Sequence, residues 1–387
     1  MKPVILVCIS HYLPGYKSGG PLRSIVNLIE NLSDDFDFRI ITADRDLGDT
    51  SPYESVPIGR WTEVGGAQVF YLPAGSGALG TLYRLLRDTH CDVLYLNSVF
   101  AMRSTLVPLV LRHLGAIPRN PVILAPRGEF SSGALALKRW KKRPFLALSR
   151  AAGLYSGLVW QASTDFEARD IYRVMGRMAK EIHQACDLPS LVDHAVKQRR
   201  RDAGDPMHIL FLSRISPKKN LSYALQCLAR VRVQVEFSIY GPAEDAAYWA
   251  ECKGLIQALP KHVRATYRGG ISPAEVPRVM AEHDLFFLPT LGENYGHVVA
   301  EAIAAGTPVL VADTTPWRGL ATMGIGQDLP LDQPQAFVNY IEELSRLSVE
   351  GYAALRARVL TADAVRKQDS RDVEHNRALF RAALQAG

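Results

Sequence analysis

The residues with the clearest chemical potential are two glutamates, Glu293 and Glu301, in the segment from Leu285 to Asp313. This segment has the pattern of a strand, a loop, a helix, a glycine turn and a second strand. We predict that the helix begins near Asn294 or Tyr295. The amide groups of a first helical turn lack intrahelical acceptors, so an anionic diphosphate would be stabilised at this point.

The residues around the two glutamates favour a nucleotide site. Gly296 lets a ligand approach the backbone closely, and His297 lies four residues before Glu301 on one helical face. A carboxylate at Glu301 is suited to accept both hydroxyls of a ribose, which leaves Glu293 for a sugar. Solvated acids on a loop and a helix surface are the alternative, and the glycine and proline residues around the pair favour the functional interpretation.

A second group of candidates follows another predicted strand, where Ser213 and Arg214 open a loop that ends at Lys219. As a glycosidic bond breaks, a departing nucleoside diphosphate gains negative charge, which fixed cations stabilise. Arg offers a fork of donors and Lys a point charge. Two exposed loop cations are the alternative. Because Arg214 directly follows a buried strand, we favour function, with Lys218 as the weaker partner.

The N-terminal half carries two further candidate groups. Gly19 and Gly20 end a long loop between a first strand and a helix, where paired glycines allow close approach to a phosphate; a plain strand-to-helix turn is the alternative. Arg127 and Glu129 follow a predicted strand at Val122–Ala125, which places them at the edge of the sheet where ligands bind.

A basic segment surrounds Trp140 in the same half, and two interpretations of it stay open. Such a helix can lie on an anionic membrane leaflet, with each cation near the surface contributing about 1 kcal/mol. Alternatively, it is a solvated basic face with the tryptophan packed inward. The cations are Lys138, Arg139, Lys141, Lys142 and Arg143.

Parallel sheets are predicted to position these residues, because short apolar runs alternate with helical stretches along the chain. We predict an α/β fold of two Rossmann-like, doubly wound domains, whose strand ends can line one cleft. The predicted strands are Val4–Ile9, Arg39–Thr42, Val69–Leu72, Val93–Asn97 and Val122–Ala125, then His208–Ser213, Val235–Tyr240, Leu285–Leu288 and Val309–Ala312. Turn residues around a charged segment divide an N-terminal domain (1–190) from a linker (191–205) and a C-terminal domain (206–365).

Bulk properties restrict the partners and the compartment. With 387 residues, of which 48% are hydrophobic and 22% charged, the chain is long enough for two globular domains. A net charge of +6 indicates anionic partners, namely nucleotide diphosphates, acidic lipids or nucleic acid. Five scattered cysteines without a Cys-x-x-Cys pair suit a reducing cytosol and argue against zinc. The first apolar run is too short for a signal peptide, and no stretch is long enough to span a membrane.

Two features of the sequence bear on other kinds of chemistry, metal binding and dinucleotide-dependent oxidation, and neither is favoured. Asp35-Phe36-Asp37 and Asp44-Arg45-Asp46 resemble an Asp-x-Asp metal clamp, but both flank an early strand in the half that is not expected to hold the donor nucleotide, and Asp is frequent in such turns. We predict no metal and no cofactor. The first strand is not followed by Gly-x-Gly-x-x-Gly, so the sequence lacks the phosphate-binding motif that a dehydrogenase would need.

Together these segments resemble the GT4 family of retaining glycosyltransferases, which have the GT-B fold. The resemblance rests on Glu293 and Glu301, on AIAAGTPV from Ala302, on Arg214 with Lys219, and on Tyr240-Gly241-Pro242. It implies that a nucleotide sugar is the co-substrate and that Glu301 binds the ribose. It also implies that Glu293 contacts the sugar, that the two cations grip the diphosphate, and that a last helix, here 366–387, crosses back to the N-terminal domain.

The resemblance implies further donor contacts, which are made by Gly19, Gly20, Ser213, Gly241, Ile271 and the stretch Asn294, Tyr295, Gly296 and His297. Many relatives carry a His-Gly pair where this chain has Arg127-Gly128, so the histidine's role does not transfer. Arg127 and Glu129 are candidates for acceptor or sugar contact. PRGEF, ending at Phe130, and Thr315–Arg318 resemble the branch that makes bacterial surface polysaccharides.

The sequence thus predicts transfer of a hexosyl group from a UDP- or GDP-sugar to a saccharide, free or lipid-linked, and the resemblance implies that the anomeric configuration is retained. We expect a cytoplasmic protein, either free or peripheral on the inner face of the membrane, that synthesises exopolysaccharide, lipopolysaccharide or O-antigen and does not bind nucleic acid. A nucleotide-sugar epimerase of the same fold and a non-catalytic basic scaffold are the alternatives.

Overall fold

The computed structural model describes residues 1–136, 139–191, 196–202 and 204–385. The chain divides into two compact units, Met1–Leu191 with Ser370–Gly387 (unit 1) and Val192–Asp369 (unit 2). The strands are β1 (Val4–Cys8), β2 (Asp37–Ala43), β3 (Trp61–Val64), β4 (Ala67–Leu72), β5 (Val93–Asn97), β6 (Val122–Ala125), β7 (Val159–Ala162), β8 (Glu181–Gln184), β9 (Met207–Leu212), β10 (Val235–Tyr240), β11 (Val263–Gly269), β12 (Leu285–Leu288), β13 (Val309–Ala312) and β14 (Gly326–Leu329).

The helices alternate with the strands in both units. They are α1 (Gly20–Leu32), α2 (Ala78–Asp88), α3 (Val107–His113), α4 (Ser132–Ala136), α5 (Arg139–Ala151), α6 (Asp165–Met175), α7 (Leu221–Leu228), α8 (Ala246–Gln257), α9 (Val276–Ala281), α10 (His297–Ala304), α11 (Leu320–Met323), α12 (Pro334–Ser345), α13 (Val349–Gln368) and α14 (Arg371–Gln385). The last helix therefore begins at Arg371 rather than at residue 366, and it belongs to unit 1.

Unit 1 contains a sheet in the order β3-β4-β2-β1-β5-β6-β7-β8, parallel except for the β3–β4 hairpin. Apolar residues of α1 and α14 cover one face, and those of α2, α3, α5 and α6 cover the other. Phe380 of α14 packs against Phe36, Phe38 and Tyr95, with ring centroids 5.2 to 6.1 Å apart. These contacts anchor the last helix in the core of unit 1.

Unit 2 contains a fully parallel sheet in the order β11-β10-β9-β12-β13-β14. The chain builds outward from β9 to β11, then returns to place β12 on the other side of β9. The order of the strands therefore reverses between β9 and β12. In doubly wound sheets a crevice opens at this point, outside the carboxyl ends of the strands, and ligands bind there.

The predicted class, two Rossmann-like parallel-sheet domains, is confirmed, and each predicted strand is present within about two residues of its expected position. Five further strands, β3, β7, β8, β11 and β14, were not predicted from the sequence. Four of these, β3, β8, β11 and β14, are the edges of the two sheets. Edge strands keep one side in solvent and carry polar residues, so they lack the continuous apolar runs of buried parallel strands.

Candidate active site

The donor-site candidates of unit 2 lie at the reversal point of its sheet. Ser213 and Arg214 directly follow β9, and Lys219 ends the short loop that begins there. Glu293 lies in the loop after β12, the strand next to β9. The two segments singled out from the sequence therefore leave neighbouring strands at the edge where ligands bind.

Lys219 and Glu293 form an ion pair across these two loops. Their side chains are only 12% and 10% exposed, so the pair is largely removed from solvent. Lys219 ends a single 3₁₀ turn, Pro217–Lys219. The carbonyl of Lys218 in this turn accepts hydrogen bonds from Thr290 Oγ1 (3.0 Å) and from the Leu291 amide (2.8 Å). An ammonium carries three donors and the pair uses one, so Lys219 can still bind a phosphate oxygen.

Arg214 is more accessible than Lys219. Its Nη1 lies 3.3 and 3.4 Å from the two carboxylate oxygens of Glu244, and the side chains are 53% and 39% exposed. An exposed pair with such long contacts contributes little to stability. A phosphate group, which carries more charge than a carboxylate, can therefore replace Glu244 as the partner of Arg214.

Asn220 is a site residue that the sequence analysis missed. It adopts a left-handed conformation (φ 60°) between the 3₁₀ turn and α7, and its Nδ2 donates to the carbonyl of Pro289 (2.9 Å). Asn tolerates this conformation better than other non-glycine residues. It therefore joins the loop after β9 to the end of β12. Its position just after Lys219, at the start of a helix, is a signal that a search for caps would have found.

Gly241, a predicted donor contact, has a packing reason to be glycine. A Cβ at this position would lie 1.9 Å from the carbonyl oxygen of Ser213, and the residue has φ 131°. The loops after β9 and β10 therefore come together only if this side chain is absent. Ile271, another predicted contact, is half-buried against the core of unit 2, two residues after β11 ends.

The helix with Glu301 begins later than predicted. Its first residue is His297, and Gly296 precedes it in a left-handed conformation (φ 84°). This conformation is not helical, so Asn294 and Tyr295 belong to the loop, and the prediction of a start there was wrong. His297 and Glu301 remain one turn apart on α10, and Glu301 is half-buried.

Trp317 and Arg366 also reach this loop, and the sequence analysis did not assign them to the site. Trp317 Nε1 donates to the carbonyl of Tyr295 (2.7 Å), and Arg366 Nη1 donates to the Tyr295 hydroxyl (2.9 Å). Trp317 follows β13 and lies in Thr315–Arg318, which was noted only as a family feature. Arg366 lies on α13, too far along the chain for spacing to reveal the contact.

In unit 1, Gly19 immediately precedes α1 and has φ 67°. A Cβ there would meet no described atom within 4 Å, so the conformation rather than crowding explains this glycine. Gly20 is the first residue of α1. The position before a 13-residue helix is compatible with anion binding, and contact of both glycines with a diphosphate stays a prediction.

Arg127 is bound within unit 1. It forms an ion pair with Asp187, and the two side chains are 6% and 5% exposed. Its Nη2 donates to the Tyr95 hydroxyl (2.7 Å) and its Nε to Asn97 Oδ1 (3.0 Å). Burial alone would lower the pKa of this guanidinium, but the attraction of Asp187 reverses the effect and raises it. Arg127 therefore stays charged. It joins the ends of β5 and β6 to the segment that contains Asp187.

Glu129, the other acceptor candidate, is also bound internally. It accepts hydrogen bonds from Ser98 Oγ (2.7 Å) and from the amides of Val99 and Phe100. Ser98 has φ 77°, an uncommon conformation for a residue other than glycine. The structure thus gives Arg127 and Glu129 positions in the framework of two loops, and acceptor contact by either stays a prediction.

The acidic pairs have structural partners. Asp35 pairs with Arg377 of α14 (2.7 Å), and Asp46 accepts hydrogen bonds from the amides of Tyr16 and Lys17. Asp44 pairs with Arg45 (2.8 Å). Within the described ranges, no group of three His, Cys, Asp or Glu side chains is arranged to hold a metal ion.

The basic segment forms the start of α5. Trp140 is 74% exposed and Leu148, two turns later, is 71% exposed. The inward-packed tryptophan expected for a purely solvated face is therefore wrong. Lys142 donates to the carbonyl of Ala134 (2.7 Å), whereas Lys138 lies outside the described residues. Arg139, Trp140 and Arg143 line a shallow surface depression with Ala136 and Pro144.

Comparison with known families shows what kind of domain unit 2 resembles. The profile of the family described as Glycosyl transferases group 1 matches residues 194–358. This part of the chain is similar to the group 1 glycosyltransferases. The match spans most of unit 2 and includes Arg214, Lys219, Glu293 and Glu301, so all four donor-site candidates lie in the region of similarity.

Similar proteins support the same domain and the fold. The phosphatidyl-myo-inositol mannosyltransferase of Mycobacterium leprae is 30% identical over 169 residues, which are 42% of this chain and 42% of that protein. The chain thus matches less than half the length of this relative. Structures of Anabaena HepE with UDP and glucose (17% identity, TM-score 0.69, 99% of each chain) and of sucrose-phosphate synthase from Thermosynechococcus elongatus (16%, 0.72, 100% of each) share its fold. The predicted GT-B class is confirmed.

No helix in the described parts of the chain is both long enough and apolar enough to cross a membrane.

Proposed function

We propose that this protein is a retaining glycosyltransferase that moves a hexosyl group from a UDP- or GDP-sugar to a hydroxyl of a saccharide acceptor. The observation that carries the proposal is the Lys219–Glu293 pair at the reversal point between β9 and β12, inside the region that is similar to group 1 glycosyltransferases. A cation and a carboxylate held together there match a sugar joined to a diphosphate, with the cation for the phosphate and the carboxylate for the sugar hydroxyls.

Arg214 and Lys219 are proposed to stabilise the leaving nucleoside diphosphate. Breaking the glycosidic bond moves negative charge onto the phosphate oxygen, and cations already fixed in place stabilise that charge without reorganisation. Lys219 is fixed by Glu293 and by the turn it ends. Arg214 is half exposed, so it can reach a bound diphosphate from the solvent side. The backbone N–H groups at Gly296 and at the start of α10 are proposed to add a partial positive charge that attracts the diphosphate.

The two glutamates are proposed to orient the donor. Glu301 accepts the ribose hydroxyls, and Glu293 accepts hydroxyls of the transferred sugar while Lys219 holds its carboxylate in place. We propose that Glu293 does not attack the anomeric carbon. The bond between the anomeric carbon and the phosphate oxygen would break, the acceptor oxygen would bond to that carbon on the same face, and the departing phosphate oxygen would take the acceptor's proton. This step retains the configuration and requires neither a metal nor a cofactor.

Two similar proteins bear on the identity of the base and the acceptor. The Anabaena HepE structure contains UDP and glucose, which favours a UDP-sugar over a GDP-sugar as the donor. The similarity to phosphatidyl-myo-inositol mannosyltransferases favours a lipid-linked acceptor. We retain bacterial surface polysaccharide, namely exopolysaccharide, lipopolysaccharide or O-antigen, as the proposed product, on the strength of the PRGEF and Thr315–Arg318 segments.

We propose that α5 brings the cytoplasmic protein to the inner, anionic membrane face, where lipid-linked acceptors are found. Trp140 and Leu148 are exposed apolar side chains on a helix whose first turn is basic. Cosedimentation with vesicles of phosphatidylglycerol tests this directly. Trp140→Ser with Arg143→Gln should reduce the bound fraction, whereas vesicles of phosphatidylcholine alone should bind neither variant nor wild type. Equal binding of wild type and variant to phosphatidylglycerol would refute the assignment.

Thermal stabilisation by a panel of UDP- and GDP-sugars, followed by product analysis with and without saccharide acceptors, tests the proposed reaction. A transferase shifts the melting temperature with one donor class and consumes that donor only when an acceptor is present. Formation of an epimer from donor alone would establish the epimerase instead. If the protein bound none of the UDP- and GDP-sugars but bound RNA in a salt-sensitive way, it would be the basic scaffold instead.

A further inference from the structure

Tyr295 lies in the loop between β12 and α10, and both its backbone carbonyl and its side-chain hydroxyl are hydrogen-bonded. Trp317 Nε1 donates to its backbone carbonyl (2.7 Å) and Arg366 Nη1 donates to its hydroxyl (2.9 Å). The tyrosine ring also packs against the Trp317 ring, with centroids 5.7 Å apart, and against His297, with centroids 4.8 Å apart. Residues from the loop after β13 and from α13 therefore fix the conformation of the stretch that leads into α10.

Arg366 is itself fixed. Its Nη2 donates to Asp363 Oδ1 (2.7 Å), and its guanidinium carbon lies 5.4 Å from the centroid of the Trp317 ring. The arginine side chain is 24% exposed and the Asp363 side chain 7%. A planar guanidinium that stacks on an indole while it donates from two nitrogens has one orientation, which an ammonium cannot reproduce.

The position of Trp317 makes this arrangement relevant to α10. A Cβ on Gly296 would lie 3.2 Å from Trp317 Nε1, so the indole is in contact with the residue that immediately precedes the helix. The peptide that Trp317 hydrogen-bonds joins Tyr295 to Gly296. Fixing that peptide fixes the Gly296 N–H, which belongs to the same planar unit, and orients the His297 amide that follows it.

We propose that Arg366 and Trp317 are positioning residues for the donor diphosphate. They act through Tyr295 to hold the 294–297 backbone in the conformation that binds the phosphate nearest the sugar. The inference rests on the proposed function, because it assigns a task to residues behind the proposed diphosphate site. Preorganisation of this kind removes the entropic cost of ordering a loop when the ligand binds.

Calorimetric titration with a nucleoside diphosphate and the matching monophosphate tests the proposal. UDP is compared with UMP, or GDP with GMP, for wild type, Arg366→Ala, Arg366→Lys and Trp317→Phe. The dissociation constant of the monophosphate divided by that of the diphosphate measures how much the terminal phosphate contributes to binding. We expect Arg366→Ala to reduce this ratio by about tenfold, because a charge-assisted contact and its support are lost. Trp317→Phe keeps the aromatic ring, and Arg366→Lys keeps the charge, so both should reduce the ratio less.

Arg358→Ala, which removes an exposed arginine two turns earlier on α13, is the matched control and should leave the ratio unchanged. A merely structural role would lower the melting temperature while leaving the ratio intact in both Arg366 variants and in Trp317→Phe, and that result would overturn the positioning role. If wild type binds neither UDP nor GDP, the proposed function fails instead, and this inference fails with it.

Discussion

Each unit carries a basic side chain that follows a central strand and pairs with a carboxylate, yet the two pairs differ in what surrounds them. In unit 1, Arg127 and Asp187 are almost fully buried, and the arginine also donates to Tyr95 and Asn97. In unit 2, Lys219 is similarly shielded, but it shares its loop with Arg214, which is 53% exposed and has only a long contact with Glu244.

The difference separates a framework pair from a ligand site. Each guanidinium nitrogen of Arg127 has a partner within unit 1, so binding a ligand would require breaking a buried contact. Lys219 and Arg214 retain donor capacity that a diphosphate can use. Position at the end of a parallel strand marks both pairs equally, and the donors left for a ligand distinguish them.

The largest expected effect of a substitution is a loss of stability in unit 1. Arg127→Met leaves Asp187 buried without its cation, which should lower the free energy of unfolding of unit 1 by about 3–5 kcal/mol. Urea denaturation followed by near-UV circular dichroism measures this change. Arg127→Met with Asp187→Leu removes both charges and should recover much of the loss. A stable single variant with a raised KM for the acceptor would instead support the predicted acceptor contact.

In unit 2 the corresponding change should act on turnover. Lys219→Met removes the ammonium that we propose faces the leaving group, so we expect kcat to fall by about 100- to 1,000-fold, the range seen when one charge-stabilising donor is lost. Steady-state assays with the donor found in the nucleotide-sugar panel measure it. Lys218→Met, which keeps the backbone carbonyl that Thr290 binds, should retain activity. Equal losses in both variants would remove Lys219 from the mechanism.

Glu301 and Arg214 should divide binding from turnover within unit 2. Glu301→Ala would remove the proposed ribose contacts, so the dissociation constant for UDP or GDP should rise by about tenfold or more. Arg214→Ala should mainly lower kcat, by about tenfold, because an exposed cation contributes less than a shielded one. Calorimetry and steady-state kinetics on the same preparations separate the two. Unchanged constants in both variants would contradict the site assignment.

The smallest predicted effect is a pH dependence of unit 2. Burial lowers the pKa of His208 and His283 below the ordinary value of 6.5, although Asp284 lies near both. Below pH 6.5 the unfolded chain binds protons that the folded state does not, so the free energy of unfolding should fall as the pH falls. His283→Gln keeps a donor for the Val279 carbonyl and should flatten this slope in denaturation measured from pH 7.5 to 5.5. An unchanged slope would exclude His283 as its source.

Local patterns identified candidate residues one at a time, from the apolar run that each follows, but they did not show which residues pair in the fold. Arg214, Lys219 and Glu293 could be assigned because each follows an apolar run that becomes a central strand. The pairing of Arg127 with Asp187 could not, since the two are far apart in the chain and meet only in the fold. The contact of Arg366 with Tyr295 was missed for the same reason. The start of α10 was misplaced because the left-handed turn at Gly296 has no periodic signal.

A crystal structure of the protein soaked with UDP, and separately with GDP, tests the central claim most directly. One nucleotide should bind unit 2 with its diphosphate against Arg214 and Lys219, beside the start of α10, and with its ribose on Glu301. A nucleotide bound elsewhere, or bound with these side chains turned away from the phosphates, would contradict the account.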